Sequence, residues 1–199
     1  TTTEGEATAD DLTIANSGDC GITIRSGSSD KGKIFFSDAT SGAGEYDGYI
    51  QYQHSDGALR FGTNGGERLR VDASGRLLVG TQASVPFWGQ DNRAQIIGSA
   101  WATAGLTIGK LANNTNAPNL VFGSSRGTSV GTIIQNDDNV GQINWNVDDG
   151  TDVNSTVAAI NARVDGAPGT DDTPGKLEFR TTADGASSTT LALTLDSSQ

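Results

Sequence analysis

One stretch of this chain occurs twice. Residues 48–57 read GYIQYQHSDG and residues 141–150 read GQINWNVDDG, so that Ile50 matches Ile143, Tyr52 matches Trp145, and Asp56-Gly57 matches Asp149-Gly150. Apolar residues fall at every second position, which puts Ile and the aromatic ring on one face of a strand and Gln or Asn on the other. The Asp-Gly pair supplies the positive φ that a tight hairpin requires. The match spreads in both directions. GITI at 21–24 returns as GLTI at 105–108, and KIFF at 33–36 as the weaker NLVF at 119–122. LRFGT at 59–63 returns as LEFRT at 177–181, and LRVDAS at 69–74 as LTLDSS at 193–198. All blocks keep their order, which predicts two copies of one β module in tandem. Ile50, Tyr52 and Phe61, with their counterparts Ile143, Trp145 and Phe179, are the expected core or interface of the repeat, the two rings largely buried in superposable modules.

Leu, Ile, Val and Phe make up only 40 of the 199 residues, a level at which a highly charged chain is usually disordered. Here the charged fraction is 19% and the strand alternation is regular, so the expectation is a folded all-β protein with thin strands and many turns. Modules with so little apolar surface need partners to complete a core, which favours homo-oligomerisation. A net charge of −11 argues against binding nucleic acid or an anionic membrane through bulk electrostatics. No apolar run approaches a transmembrane span, and TTTEGEATADD at the start has neither the basic nor the apolar region of a signal peptide. The chain has no Met, even at position 1, and reads as a piece of a longer one. The single Cys20 has no intrachain partner and no metal spacing around it, and reads as a small buried thiol.

Residues 1–10 read as a connector, 11–81 as the first module, 82–95 (QASVPFWGQDNRAQ) as the junction, and 96–199 as the second module. Strands are expected near 12–14, 21–25, 33–37, 48–54, 58–63, 67–72 and 76–80, separated by Gly/Ser/Asn/Asp turn clusters. This even spacing, with no helical period, means a meander, a sandwich or a fibrous β-prism. The second module carries an insert at 151–175, containing one further alternation from Val157 to Val164 and then the loop DGAPGTDDTPG at 165–175. Its shared blocks already specify a core, so the insert is expected to project outward as surface.

From Gly48 to Thr81 the chain resembles the repeat of long tail fibres and related appendage proteins of tailed bacteriophages, especially marine and cyanobacterial ones. The residues that carry the resemblance are the aromatic strand, the HSD turn at 54–56, LRF at 59–61, ERLRVD at 67–72, Ser74-Gly75 and LVGT at 78–81. SSRGT at 124–128, VDG at 164–166, PGT at 168–170, Pro174-Gly175 and TTADG at 181–185 resemble another recurrent fibre block. The chain departs from the pattern where LALTLD at 191–196 replaces ERLRVD, and where no endosialidase-like chaperone domain follows. The resemblance implies a virion appendage: a fibrous homotrimer of two tandem β modules that contacts other virion tail proteins and attaches to a glycan or protein receptor on the host surface. The competing reading is a tailspike enzyme acting on surface polysaccharide. That chemistry needs two carboxylates converging in a groove, and the many acids here single out no pair. No cofactor is expected.

Consecutive Ser55, His54 and Asp56 invite a triad reading, but neighbouring strand residues point apart, so a surface turn is expected. The pairs Asp137-Asp138, Asp148-Asp149 and Asp171-Asp172 lack the alternating spacing of a calcium loop and read as turn chemistry. Arg68 and Arg70 are expected on one strand face, ion-paired across a subunit interface with Glu67 or Asp72. Phe87, Trp88 and Trp101 lie outside the repeat pattern and suit either glycan stacking or packing between modules. With Asp171 and Asp172 in the exposed loop, they form the candidate receptor-binding set.

Overall fold

The computed structural model describes residues 12, 14–111, 113, 117–128 and 131–198, the Trp101 side chain excepted. The expected connector at 1–10 lies outside the described residues. Among those residues there is no α-helix, only strands, turns and short 3-10 segments at Ala43–Tyr46, Phe87–Gly89 and Trp101–Thr103. The chain divides into two compact units after residue 82.

In the first unit, β1 (Lys31–Phe36), β2 (Gly48–Gln53), β3 (Ala58–Thr63), β4 (Gly66–Val71) and β5 (Leu77–Val79) follow one another in space in sequence order, all antiparallel. Asn64 and Gly65 join β3 to β4 with φ of 52° and 69°, the double positive φ that matches a tight turn to strand twist. One residue further on, the ladder jumps from Gly62↔Glu67 to Phe61↔Leu69, so Arg68 is the extra residue of a bulge. The register then aligns an apolar row straight across the sheet, Ile34–Ile50–Phe61–Leu69–Val79, and beside it Gly32–Tyr52–Leu59–Val71–Leu77.

The second unit holds the short β6 (Ala94–Ile96) and a four-stranded antiparallel sheet of β7 (Asn139–Val147), β8 (Ser155–Val164), β9 (Gly175–Thr181) and β10 (Thr190–Leu195). Its apolar rows are Ile143–Ile160–Phe179–Leu193 and Gly141–Ala162–Leu177–Leu195. Phe122 packs against Gly141 on that face, and much of the rest of it stands open. Ile143, Trp145, Leu177, Leu193 and Leu195 are each 40% exposed or more, as are Ile34, Tyr52 and Leu77 in the first unit. Among the described residues the fully apolar core reduces to Ala58, Leu78, Ala159 and Val164, while Gln51, Gln53, Arg70, Gln95 and Glu178 are buried. The first sheet thus covers its polar side with its own long side chains, and both sheets leave much of their apolar side exposed.

Several expectations need correction. Tyr52 and Trp145 are 42% and 48% exposed, so they are not the core of a single chain; they stand on the sheet face that this chain leaves open. The insert does not project as a whole. Its first part is β8, the strand between β7 and β9, and Ala159 and Val164 on it are buried. By ladder position β8 therefore takes the place of β3, and the LEFRT match to LRFGT is one strand out of step. Period-2 alternation is common to every strand and cannot by itself number them. The first half of the repeat keeps a geometric counterpart, since Phe36 packs against Gly48 and Phe122 against Gly141. The segments at 21–25, 105–108 and 119–122 belong to no strand, and Ile22, Leu106 and Val121 are 64%, 71% and 81% exposed. A strand needs a ladder partner, and these segments find none among the described residues. Cys20 is exposed, not buried, because it lies in that unladdered stretch.

Candidate functional site

The polar face of the first sheet is a charged lattice. Lys33, Gln51, Arg60 and Arg70 stand in one row across β1 to β4. The bulge at Arg68 brings Glu67 onto the same side as Arg70, whose Nε and Nη2 donate to its two carboxylate oxygens at 2.5 and 2.8 Å. Arg60 pairs with Asp56, and Arg76 with Asp72 at 2.7 Å. Arg68 donates instead to the Thr63 hydroxyl at 3.2 Å. The two arginines are thus separated by the bulge, and Arg70 pairs with Glu67 of its own chain. His54 stacks edge-on against Tyr52 at 5.0 Å, and Ser55 accepts from Gln53 at 2.7 Å. With Asp56 on Arg60, the three side chains engage different partners and do not converge as a triad.

In the second unit, alternation places Gln142, Asn144 and Asn146 on the polar side of β7. They face Asn161, Ala159 and Thr156 of β8. Trp88 stands over this row. Its backbone is left-handed, with φ 55° and ψ 34°, a conformation a bulky residue keeps only where its surroundings hold it. Two tethers hold the loop: the Gly89 amide donates to Asn154 Oδ1, and the Val85 amide donates to Gln95 Oε1 at 3.0 Å. Gln95 is buried and also donates to Ser84 at 2.9 Å. The result is a cleft of about 240 Å³ with Trp88 and Asn154 at one side, Ser187 to Thr189 at the other, and Ala159 in its floor. A second hollow of about 400 Å³ is lined by Phe87, Trp88, Asn92, Asn144, Trp145 and Asn146. Trp88 and Asn144 line both.

Of the candidate set, Phe87 and Trp88 therefore meet at one site, and both are exposed, at 40% and 50%. Trp101 begins a 3-10 turn, and its side chain lies outside the described residues. Asp171 and Asp172 sit elsewhere, exposed in a tight bend in which Asp171 has φ 57° and Gly169 donates to the Asp172 carbonyl at 2.8 Å. Sequence reading missed the amides. Their signal was the alternation of Gln142, Asn144 and Asn146 opposite the apolar row, and nothing local linked it to a tryptophan so far away in the chain.

The remaining acids serve turns and clamps. Asp138 accepts both Nε and Nη2 of Arg126 at 2.7 Å and the Gln135 amide at 2.8 Å. The guanidinium contact lowers its pKa to about 2. Lys176 donates to Asp137 at 2.8 Å and lowers that carboxyl as well. Among the described residues no group of His, Cys, Asp and Glu is placed to hold a metal ion.

Two solved structures are similar in fold. The carboxy-terminal domain of the bacteriophage T5 L-shaped tail fibre with its intra-molecular chaperone domain matches with a TM-score of 0.74 at 15% identity, over 94% of this chain and 60% of that one. The carboxy-terminal domain of the same fibre matches in a second structure with a TM-score of 0.66 at 14% identity, over 98% of this chain and 87% of that one. This chain thus spans 60% of the first structure, and at these identities the likeness is one of fold. No family model and no curated protein matches the sequence.

Proposed function

We propose that the chain is a non-enzymatic structural segment of a bacteriophage tail fibre, a homotrimer in the virion that contributes to attachment at the host surface. The observation that carries this reading is the outward apolar face of each sheet. Ile34, Tyr52 and Leu77 in the first unit and Ile143, Trp145, Leu177, Leu193 and Leu195 in the second are each 40% exposed or more, aligned in contiguous apolar rows of the kind that mark a surface made to be covered by a partner. The unladdered, exposed segments at 21–25, 105–108 and 119–122 support the same conclusion, since neighbouring chains in an intertwined β trimer would supply their missing strands. The fold likeness to a phage tail-fibre domain supports the fibre, and the HSD, LRF and ERLRVD motifs, through the fibre proteins they resemble, support three copies. Buried acids support a structural role over a catalytic one: Glu67 is committed to Arg70, and Glu178 to Arg180 at 3.1 Å. Three weak contacts acting together would give the avidity that adhesion needs. Light scattering on the purified protein should return three times the 20.5 kDa chain mass at micromolar concentration. A stable monomer under those conditions would overturn the reading.

A further inference from the structure

The cleft beneath Trp88 has a chemistry of its own. Its floor and walls present amides and hydroxyls, from Asn144, Gln142, Asn161 and Ser187 to Thr189, and no charged side chain. The charges next in the ladder, Glu178 and Arg180, pair with each other at 3.1 Å, and Arg180 also donates to Thr189. A phosphate, sulfate or carboxylate would find no cation to meet it here. Asn161 lines the cleft, and among the described residues its buried Oδ1 has no partner; once its side chain turns toward the cleft, that acceptor is open to a ligand hydroxyl. Trp88 supplies an exposed apolar ring beside those groups, held in a left-handed backbone by the Asn154 tether, so little order remains to be imposed on binding. Rings that stack on an apolar face and display hydroxyls at their edges fit both halves of this surface.

From these observations we infer that the cleft binds an uncharged oligosaccharide, one pyranose ring stacked on Trp88 with its hydroxyls on Asn144 and Asn161, and the chain continuing over Trp88 into the hollow beside Phe87 and Asn92. The inference rests on the attachment reading above and names the ligand class and the place. The cleft beside Trp88 lies on the polar side of β7 and β8, opposite the apolar rows, and so stays open when those rows are covered; the hollow beyond it also touches Trp145, on the other face of β7.

The test uses the intact assembled protein on an array carrying neutral mannan, glucan and galactan oligosaccharides beside sialylated, uronate-bearing and phosphorylated ones. The wild type should retain at least one neutral glycan and no anionic one. Trp88→Gly removes the ring while suiting the left-handed backbone, and it should weaken retention about tenfold or more, as loss of a central tryptophan anchor does. Asn144→Ala should weaken it too, and Trp88→Phe should recover part of the loss, with native mass unchanged in all three. If Trp88→Gly alters the mass, Asn144→Ala decides alone. Retention of anionic glycans only, no retention by the wild type, or retention unaffected by these variants would overturn the proposal. Adsorption of the same preparations to a panel of bacterial strains separates this site from the wider reading. Equal adsorption of wild type and Trp88→Gly removes the site and keeps attachment; a wild type that neither assembles nor adsorbs removes attachment itself.

Discussion

On the polar side of the first sheet a single row holds Lys33, Gln51, Arg60 and Arg70, whereas the rows at the matching place in the second hold Gln142, Asn161 and Glu178, and Asn144, Ala159 and Arg180. Arginine stems close the first surface, leaving Gln51 and Arg70 only 8% exposed. The second keeps a hollow because alanine stands where a long side chain would fill it. On the other side both sheets are apolar throughout, Ile50–Phe61–Leu69–Val79 in one and Ile143–Ile160–Phe179–Leu193 at the same ladder positions in the other, although the residues differ strand by strand after the first. In the proposed assembly the apolar face is the one that a neighbouring chain fits, which accounts for its being apolar in both copies. The polar face, left free in that assembly, differs between them, a charged wall in one copy and an amide-lined cleft in the other.

The most severe test of that division substitutes the central aromatic of each apolar row. Phe61→Asp and Phe179→Asp should each lower the native mass toward the 20.5 kDa chain, because an unpaired carboxylate in a buried interface has no partner to offset its desolvation. If only one of them does, the apolar faces are not equivalent and only that sheet assembles. A smaller effect is expected on the polar sides. Glu67→Ala leaves the Arg70 guanidinium, 9% exposed, without its bidentate partner, and should cost about 3 kcal/mol in urea unfolding. Glu178→Ala should cost less, because Arg180 is 26% exposed and keeps Thr189. Equal losses would mean that the two polar faces are alike in rigidity after all.

The strands, the turns and the all-β class could be read from alternation and from Asp-Gly and Asn-Gly signals because those are local, and β2, β3 and β4 fall within a residue or two of their expected limits. Strand numbering could not. LEFRT and LRFGT look alike because any half-buried strand of this composition looks so, and only the ladder reveals that β8 lies between β7 and β9. The burial of Tyr52 and Trp145 was misjudged for a different reason: alternation tells which face a ring is on but not whether the chain itself covers that face. Trp88 could be singled out as an aromatic outside the repeat, yet its cleft depends on the contact from Gly89 to Asn154, which leaves no periodic trace. The equivalence that does survive, Phe36 on Gly48 and Phe122 on Gly141, gives the next test. An added Cβ at Gly48 would lie 3.1 Å from Phe36, and one at Gly141 would lie 2.7 Å from Phe122. Gly48→Ala and Gly141→Ala should each destabilise their unit by about 1–2 kcal/mol, Gly141→Ala the more. No change at Gly141 would show that the two halves share a motif but not a packing.

The smallest expected effect lies in the Asp138 clamp of the second unit. Asp138 is held by Arg126 through two hydrogen bonds and by the Gln135 amide, and the guanidinium is the main reason its pKa falls from 3.8 to about 2. Because the folded-state value is the lower one, the unfolded chain takes up the proton first as pH drops. The contribution of Asp138 to stability is therefore complete above about pH 4, declines between pH 4 and pH 2 as the folded-state carboxyl approaches its own pKa, and is absent below it. Melting temperatures of wild type and Asp138→Asn, measured at one protein concentration so that assembly contributes equally, should differ at pH 6 and converge as pH falls to 2. Arg126 is 45% exposed, so solvent screens the pair and 0.5 M salt should shrink the pH 6 difference. A difference that persists unchanged at pH 2 would mean that the asparagine disturbs the turn at Gln135 rather than the charge, and the clamp would then be a matter of backbone geometry in the second unit alone.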